Sequence, residues 1–444
     1  MTRYLALVTM TLALISTAPA FAGASRIERI VTPAGIEIWL VREKNLPMVS
    51  LNFAFLGGAA QDPADKPGVA NLVAGLLDEG AGDLDAAAFH ERLEERAISL
   101  SFGANRDNFR GSIRTLTENR DQAFELLRLA VTAPRFDGQE LDRVRAAVLA
   151  QLRRRSTNPS DIAADRWFAR AFPAHPYGRP VQGTLESVPT IAVDDLRTYV
   201  RRTLARSNLK VAAVGDIDAA EIAVLVDRTF GSLPPRSDLV PVADAEPRGL
   251  GTSETIELKT PQTVITFGGI GLKRADPDFI PAFILNHILG GGGFESRLFR
   301  EVREKRGLAY SVYSHLAPYE HAGLFLGGVS TRNDRAAESL EIIVAEIKRI
   351  ATEGPTGDEL EKAKRFLIGS YPLRFDTSGK ITANLLDIQI ENLGIDYIDK
   401  RNALIEAVTA EDIRRAARRF LAEVKLLVML VGQPETARKP TGGG

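Results

Sequence analysis

Polar and apolar residues alternate over Arg29–Val41 and Met48–Phe55, with a Pro-Ala-Gly turn inside the first run, and this period of two predicts β-strands. Further on the period lengthens. Gly68–Leu77 and Leu84–Arg96 read as helices, and Ala97–Phe102 and Asn108–Thr115 as paired strands. Arg120–Ala133 and Gln139–Arg155 repeat apolar residues at helical spacing (Phe124, Leu127, Val131; Leu141, Val144, Val148, Leu152). Ile162–Ala171 and Ile191–Leu204 read as further helices, and Leu209–Val214 as a buried strand.

A Pro-, Gly- and polar-rich stretch, Ser232–Ser253, then reads as a linker. Beyond it the pattern starts again. Thr260–Leu272 is a β-rich entry like Pro47–Gly58. DGQELDRVRAAVLAQL at Asp137 is echoed by TGDELEKAKRFLIGSY at Thr356, about 219 residues on, and the block at Val193 is echoed at Ala410, about 217 on. Two matched blocks at nearly one offset imply an α+β unit of ~200 residues present twice in tandem. Strands early in each unit and helices after them predict a mainly antiparallel sheet with helices packed on one face. The expected division is 1–22 leader, 23–231 first unit, 232–253 linker, 254–433 second unit and 434–444 disordered tail.

Composition narrows the chemistry. The chain has 444 residues with 45% hydrophobic, 25% charged, a net charge of −1 and no cysteine. An interspersed, nearly neutral charge pattern argues against nucleic acid or an anionic membrane as partner. Without cysteine there are no disulfides, thiolate zinc sites or cysteine nucleophiles. Arg3, the apolar run Tyr4–Ile15 and Ala20-Phe21-Ala22 read as a secretory leader cleaved after Ala22, too short for a membrane anchor. A bacterial periplasm is the expected compartment, and the mature chain is expected to carry no membrane span. No Ser/His/Asp or paired-carboxylate pattern suggests an autonomous hydrolase.

One stretch stands out: Gly290–Ser314, GGGGFESRLFREVREKRGLAYSVYS. Four glycines precede an amphipathic segment, Phe294–Lys305, and then a strand-like run, Leu308–Tyr313. Arg303 near the helix end and Tyr310 on the strand could together grip a peptide carbonyl. The glycines lack the Lys-Ser/Thr of a phosphate loop; the bland reading is a flexible loop.

Together, the tandem unit, the leader and LFREVREKRGLAYSVYS resemble the pitrilysin/insulinase family of zinc metallopeptidases, chiefly its small processing-peptidase-like members. PADKPGVANLVAGLLDEG and ELDRVRAAVLAQLRRRSTNPSDIA add support, and the resemblance spans nearly the whole mature chain. It implies an inverted zinc motif, His-x-x-Glu-His, on an early helix of the active unit, with a further Glu ligand roughly 75 residues on. Two imidazoles and a carboxylate leave one zinc position open for water, whose proton the motif's Glu accepts. Here Asn71 stands for the first His, Ala74 for the Glu base, Gly75 for the second His and Gln151 for the distal Glu. None of the four is a useful zinc ligand or base. The five histidines (His90, His175, His287, His315, His321) show no metal-binding spacing.

The family's second contribution is kept. The resemblance implies that Arg303 and Tyr310 donate hydrogen bonds to the substrate and the developing oxyanion, worth roughly 3–4 kcal/mol each where such donors have been removed. It also implies a substrate-side role for the glycine loop, through Gly291 and Gly292. By the same resemblance substrate would pair with Ser99–Gly103 as an edge strand, with Ser101 and Phe102 toward it. The resulting expectation is a chain inactive alone and without cofactor of its own. It would be the non-catalytic subunit of a heterodimeric periplasmic zinc peptidase acting on unfolded peptides, with zinc in a homologous partner. The alternative is a catalytically silent scaffold of the same fold.

Overall fold

A computed structural model describes residues 27–421 and 423–434, so the expected leader (1–22) and all but the first residue of the expected tail lie outside the described residues. Among the described residues eleven strands form two sheets. The first contains β1 (Glu28–Val31), β2 (Glu37–Arg42), β3 (Met48–Leu56), β4 (Ser99–Ala104), β5 (Asn108–Leu116) and β6 (Leu209–Gly215), in the order β1-β2-β6-β3-β5-β4. The second contains β7 (Ser253–Glu257), β8 (Gln262–Ile270), β9 (Ala309–Pro318), β10 (Gly323–Arg332) and β11 (Leu427–Gly432), in the order β7-β11-β8-β10-β9. Apart from the extra edge strand β1 the two orders are the same. Each sheet has one parallel pair, β2 with β6 and β7 with β11, and is otherwise antiparallel.

The duplication reaches single side chains. Phe53 pairs across strands with Gly111, and Phe267 with Gly327. In both sheets the phenylalanine ring lies over the glycine, so that a Cβ would come within 2.2 Å of Phe53 Cζ or 2.3 Å of Phe267 Cζ. A ring packed over a cross-strand glycine fills space that another side chain would otherwise claim. Gly215 and Gly432, which end β6 and β11, share a φ near 150° (149° and 151°) that other residues rarely adopt.

The first unit's helices are α1 (Val69–Ala74), α2 (Ala86–Glu95), α3 (Arg120–Thr132), α4 (Gly138–Arg155), α5 (Pro159–Ala171), α6 (Val193–Thr203) and α7 (Ala219–Phe230). The second unit's are α8 (Phe279–Asn286), α9 (Ala336–Glu353), α10 (Gly357–Gly369), α11 (Ser378–Ile390), α12 (Tyr397–Glu406) and α13 (Ala410–Phe420). Most pack on one face of their own sheet and build the two main cores. The expected α+β class and processing-peptidase-like arrangement are therefore present.

Each sheet's other face is covered by a helix from the opposite unit. On α5, Trp167 is fully buried among Leu427, Met429 and Val431 of the second sheet, and its Nε1 donates to the Leu427 carbonyl at 3.0 Å. On α11, Leu385, Leu386 and Ile388 bury against Trp39, Val41, Ala212 and Val214 of the first, and Gln389 Nε2 donates to the Val211 carbonyl at 2.8 Å. Burying each such apolar side chain is worth about 1.5–3 kcal/mol, so the reciprocal exchange locks the two units together. Residues 232–252 form neither helix nor strand and bind both units: Val240 exchanges two hydrogen bonds with Gln61, and Ala245 N donates to His321 O.

Candidate functional site

Of the four positions read as degenerate zinc positions, Asn71 and Ala74 lie on α1, Gly75 directly after it and Gln151 on α4. Asp62 holds the start of the short helix α1 by accepting from Gly68 N at 2.8 Å and Ala70 N at 2.9 Å, while burial pushes its carboxyl up to about 7. Along the helix Leu72, Val73 and Ala74 are buried in the core. Asn71 is half-buried, and Gly75 sits against α4, where a Cβ would meet Val144 Cγ1 at 3.2 Å. Gln151 lies exposed on α4. An amide, a methyl group, a bare Cα and a second amide provide neither an imidazole nor a carboxylate. These residues do not fit zinc. Among the described residues no cluster of three His, Cys, Asp or Glu side chains could hold a metal ion.

The histidines are occupied otherwise. His90 contacts Glu79 at 3.3 Å, and one ring nitrogen of His175 is 2.9 Å from the Ala243 carbonyl. His287 stacks on Phe366 and His315 on Tyr313, and burial lowers the pKa of both.

The Gly290–Ser314 segment is built differently. Its first three glycines, Gly290–Gly292, are closely packed, whereas Gly293 has open space where a Cβ would lie. A Cβ on Gly290 would lie 2.4 Å from Ser314 Oγ, and one on Gly291 2.7 Å from Asn286 Nδ2. The Asn286 amide and Ser314 exchange hydrogen bonds that pin this loop to β9 (2.8 and 3.2 Å). The loop is flanked by two π-helical segments, His287–Gly291 and Phe299–Glu304, a rare geometry concentrated at functional sites. The expected helix over Phe294–Lys305 thus begins with a 3₁₀ turn, Gly293–Glu295, and ends in a π segment.

Behind it, Arg297 is almost fully buried and makes a bidentate pair with Glu359 at the start of α10 (2.8 and 2.6 Å); Arg300 adds a third contact at 3.1 Å. Burial opposes ionisation of Glu359, yet Arg297 and the Thr356 N–H bring its pKa from 4.5 down to about 2. The sequence reading missed this anchor. Its only visible trace is the capping-box pattern Thr356-Gly-Asp-Glu359.

Arg303 and Tyr310 come together. The Arg303 guanidinium carbon lies 4.8 Å from the centroids of both Tyr310 and Phe299 and 6.0 Å from that of Phe294. The guanidinium makes no ion pair or hydrogen bond among the described residues. Ring faces hold the planar cation without consuming its N–H groups, leaving five donors for a ligand.

A β-bulge aims Tyr310. Thr331 pairs with Ala309 and Val329 with Val312, so Ser330 opposes both Tyr310 and Ser311. Bulges of this kind re-aim side chains beside active sites. Tyr310 is consequently 79% exposed although Val312 and Ser314 are buried, and Phe294 beside it is 70% exposed.

Both β4 and β9 are edge strands. On β4, Ser101 bonds Ser112 Oγ at 2.9 Å, while Phe102 is half-buried and packs edge-on against Phe53, so its ring belongs to the core. Gly291 borders a cavity treated below, and a Cβ on Gly292 would lie 2.7 Å from the His287 carbonyl.

Comparison with known proteins agrees with this anatomy. Residues 38–185 match the insulinase (peptidase family M16) model, and residues 190–367 match the peptidase M16 inactive domain. A Streptomyces coelicolor protein described as an uncharacterized zinc protease is 30% identical over 412 residues, covering 90% of this chain and 88% of the relative. The Helicobacter pylori protein described as non-peptidase homolog YmxG is 28% identical over 347 residues, 76% of this chain and 78% of that one. The crystal structure of a peptidase M16 inactive domain from Pseudomonas fluorescens superposes with a TM-score of 0.87 at 30% identity, covering 94% of this chain and 99% of that one. The chain belongs to the insulinase family of peptidases, family M16.

Proposed function

We propose that this chain is the non-catalytic subunit of a two-chain zinc peptidase, lending Arg303 and Tyr310 to a metal held by a homologous partner. The observation that carries the reading is the contrast within one molecule. The metal positions hold no imidazole or carboxylate, while an arginine without an ion pair among the described residues and an exposed tyrosine are held together by aromatic rings and a bulge. Two of the similar proteins, the one from H. pylori and the one from P. fluorescens, carry descriptions of inactivity, which favours the same assignment here.

In this reading the partner supplies His-x-x-Glu-His, and the second unit of this chain closes over its zinc. Arg303 and Tyr310 then donate to the peptide carbonyl and the developing oxyanion, with Gly291 and Gly292 on the substrate side of their loop. Enclosure between two chains restricts substrates to unfolded peptides. The leader-like residues before Gly23 favour a periplasmic pair, and no helix among the described residues is long and apolar enough to cross a membrane.

The test is co-expression with a homologue that carries an intact zinc motif. The expected outcome is a stable complex that cleaves an unfolded peptide and is stopped by a chelator, while this chain alone neither cleaves nor retains zinc. A mixture no faster than the zinc-bearing chain by itself overturns the proposal and favours the silent scaffold.

A further inference from the structure

We propose that a cavity in the second unit, bordered by the glycine loop, β9 and helices α8, α11 and α12, is a binding site for a carboxylate carried on an apolar group. The cavity encloses about 550 Å³, within the usual range for small-ligand sites, and mixes an apolar lining with three arginines, Arg274, Arg374 and Arg401.

Arg401 carries the argument. It is only 5% exposed, and its guanidinium lies 4.0 Å from the ring centroid of Tyr371. Nη1 donates to the Leu367 carbonyl at 3.1 Å and to Asn402 Oδ1 at 3.3 Å. No carboxylate reaches it, and Nε and Nη2 have no partner among the described residues. A buried cation without a counter-charge is destabilising unless something completes it.

The neighbouring charges do not. Glu391 is engaged by Arg274 at 2.9 Å, which also bonds the Tyr397 hydroxyl at 2.7 Å. Asp387 is taken by Arg110 of the first sheet at 2.7 Å. The Arg374 side chain, at the exposed edge, pairs with nothing among the described residues. Burial lowers the pKa of Arg401, and Arg374 and Arg274 push it the same way. Two adjacent free N–H donors match the two oxygens of a carboxylate. Phe279, Phe283 and Ile388 line the space in which an attached apolar group would lie.

The C-terminal residue of a peptide and a short fatty acid share this chemistry. Isothermal titration of the full chain separates them, using a pentapeptide ending in phenylalanine, its C-terminal amide, and octanoate. We expect either the free-acid peptide or octanoate to saturate one site, and the one that binds names the source. If the peptide binds, its amide should bind at least about tenfold more weakly, the effect of losing a charge-assisted hydrogen bond.

Arg374→Ala, at an exposed position that should leave folding intact, should weaken binding by a similar factor. Glu391→Gln, which removes a competing carboxylate and frees Arg274, should tighten it. Equal binding of peptide acid and amide, no binding of any probe, or affinities unmoved by both variants would overturn the proposal. The site is independent of zinc, so its failure would leave the peptidase reading standing, and the reverse.

Discussion

The α1 region and the Gly290–Ser314 segment are the two places where the family resemblance expects active-site residues, and their side chains and surroundings separate them. Around α1 no position that would bear chemistry carries an imidazole or a carboxylate: Ala74 is buried in the core, Gly75 faces Val144 with a bare Cα, and the amides of Asn71 and Gln151 are half-buried and exposed. Around Arg303 the reverse holds. An aromatic side chain is left in solvent, a cation has no counter-ion among the described residues, and a bulge interrupts the ladder to aim a tyrosine outward. Two other arginines of this unit show the ordinary arrangement, Arg297 paired with Glu359 and Arg419 with Asp276 and Asp278. A lost site relaxes toward good packing, whereas a retained one keeps features that packing alone does not explain.

Three substitutions probe that contrast. The largest effect is expected at the anchor of the second region. Glu359→Gln leaves Arg297 buried without its carboxylate and should cost about 3–5 kcal/mol in denaturant unfolding. Because folding lowers the Glu359 pKa from 4.5 to about 2, its contribution is full above pH 4.5 and is lost as pH falls toward 2; the variant should lack that acid-dependent loss. A wild-type-like stability profile would mean that the segment is not held from behind as described.

A smaller effect is expected at α1. Gly75→His, which restores one ligand of the zinc motif, brings a Cβ to 3.2 Å from Val144 Cγ1 and should cost no more than about 1–3 kcal/mol without creating zinc affinity. Tight zinc binding by that variant would show that the region has kept more of its site than its packing indicates. The smallest effect belongs to Tyr310→Phe. With the ring 79% exposed and its hydroxyl unbonded among the described residues, stability should change by no more than about 0.5 kcal/mol. A larger loss would make Tyr310 a structural residue.

Much of this was legible in the sequence because it depends on local pattern. The echo of DGQEL in TGDEL revealed the duplication, and the strand alternation led to the sheets. Arg303 and Tyr310 were found through REKRGLAY, the stretch they open and close seven residues apart. What was missed depends on distant contacts. Trp167 has the spacing of an ordinary core residue of α5, and nothing local shows that the core belongs to the other unit. Helices α7, α9, α11 and α12 were not assigned. Gly290–Gly293 invited a flexible-loop reading because the neighbours that require small residues, Ser314 and Asn286, are visible only once β9 and α8 are folded beside them. The bulge at Tyr310 depends on pairing with β10. Arg274, Arg374 and Arg401 are far apart in sequence and converge only around the cavity.

The central claim is that this chain lends donors to another chain's zinc. Its most direct test is the peptidase rate of the reconstituted pair with Arg303→Ala or Tyr310→Phe in this chain alone. The account predicts that each substitution lowers kcat by about 10²–10³-fold, with complex formation and zinc content unchanged. A pair that cleaves at the same rate with both substitutions in place would contradict it.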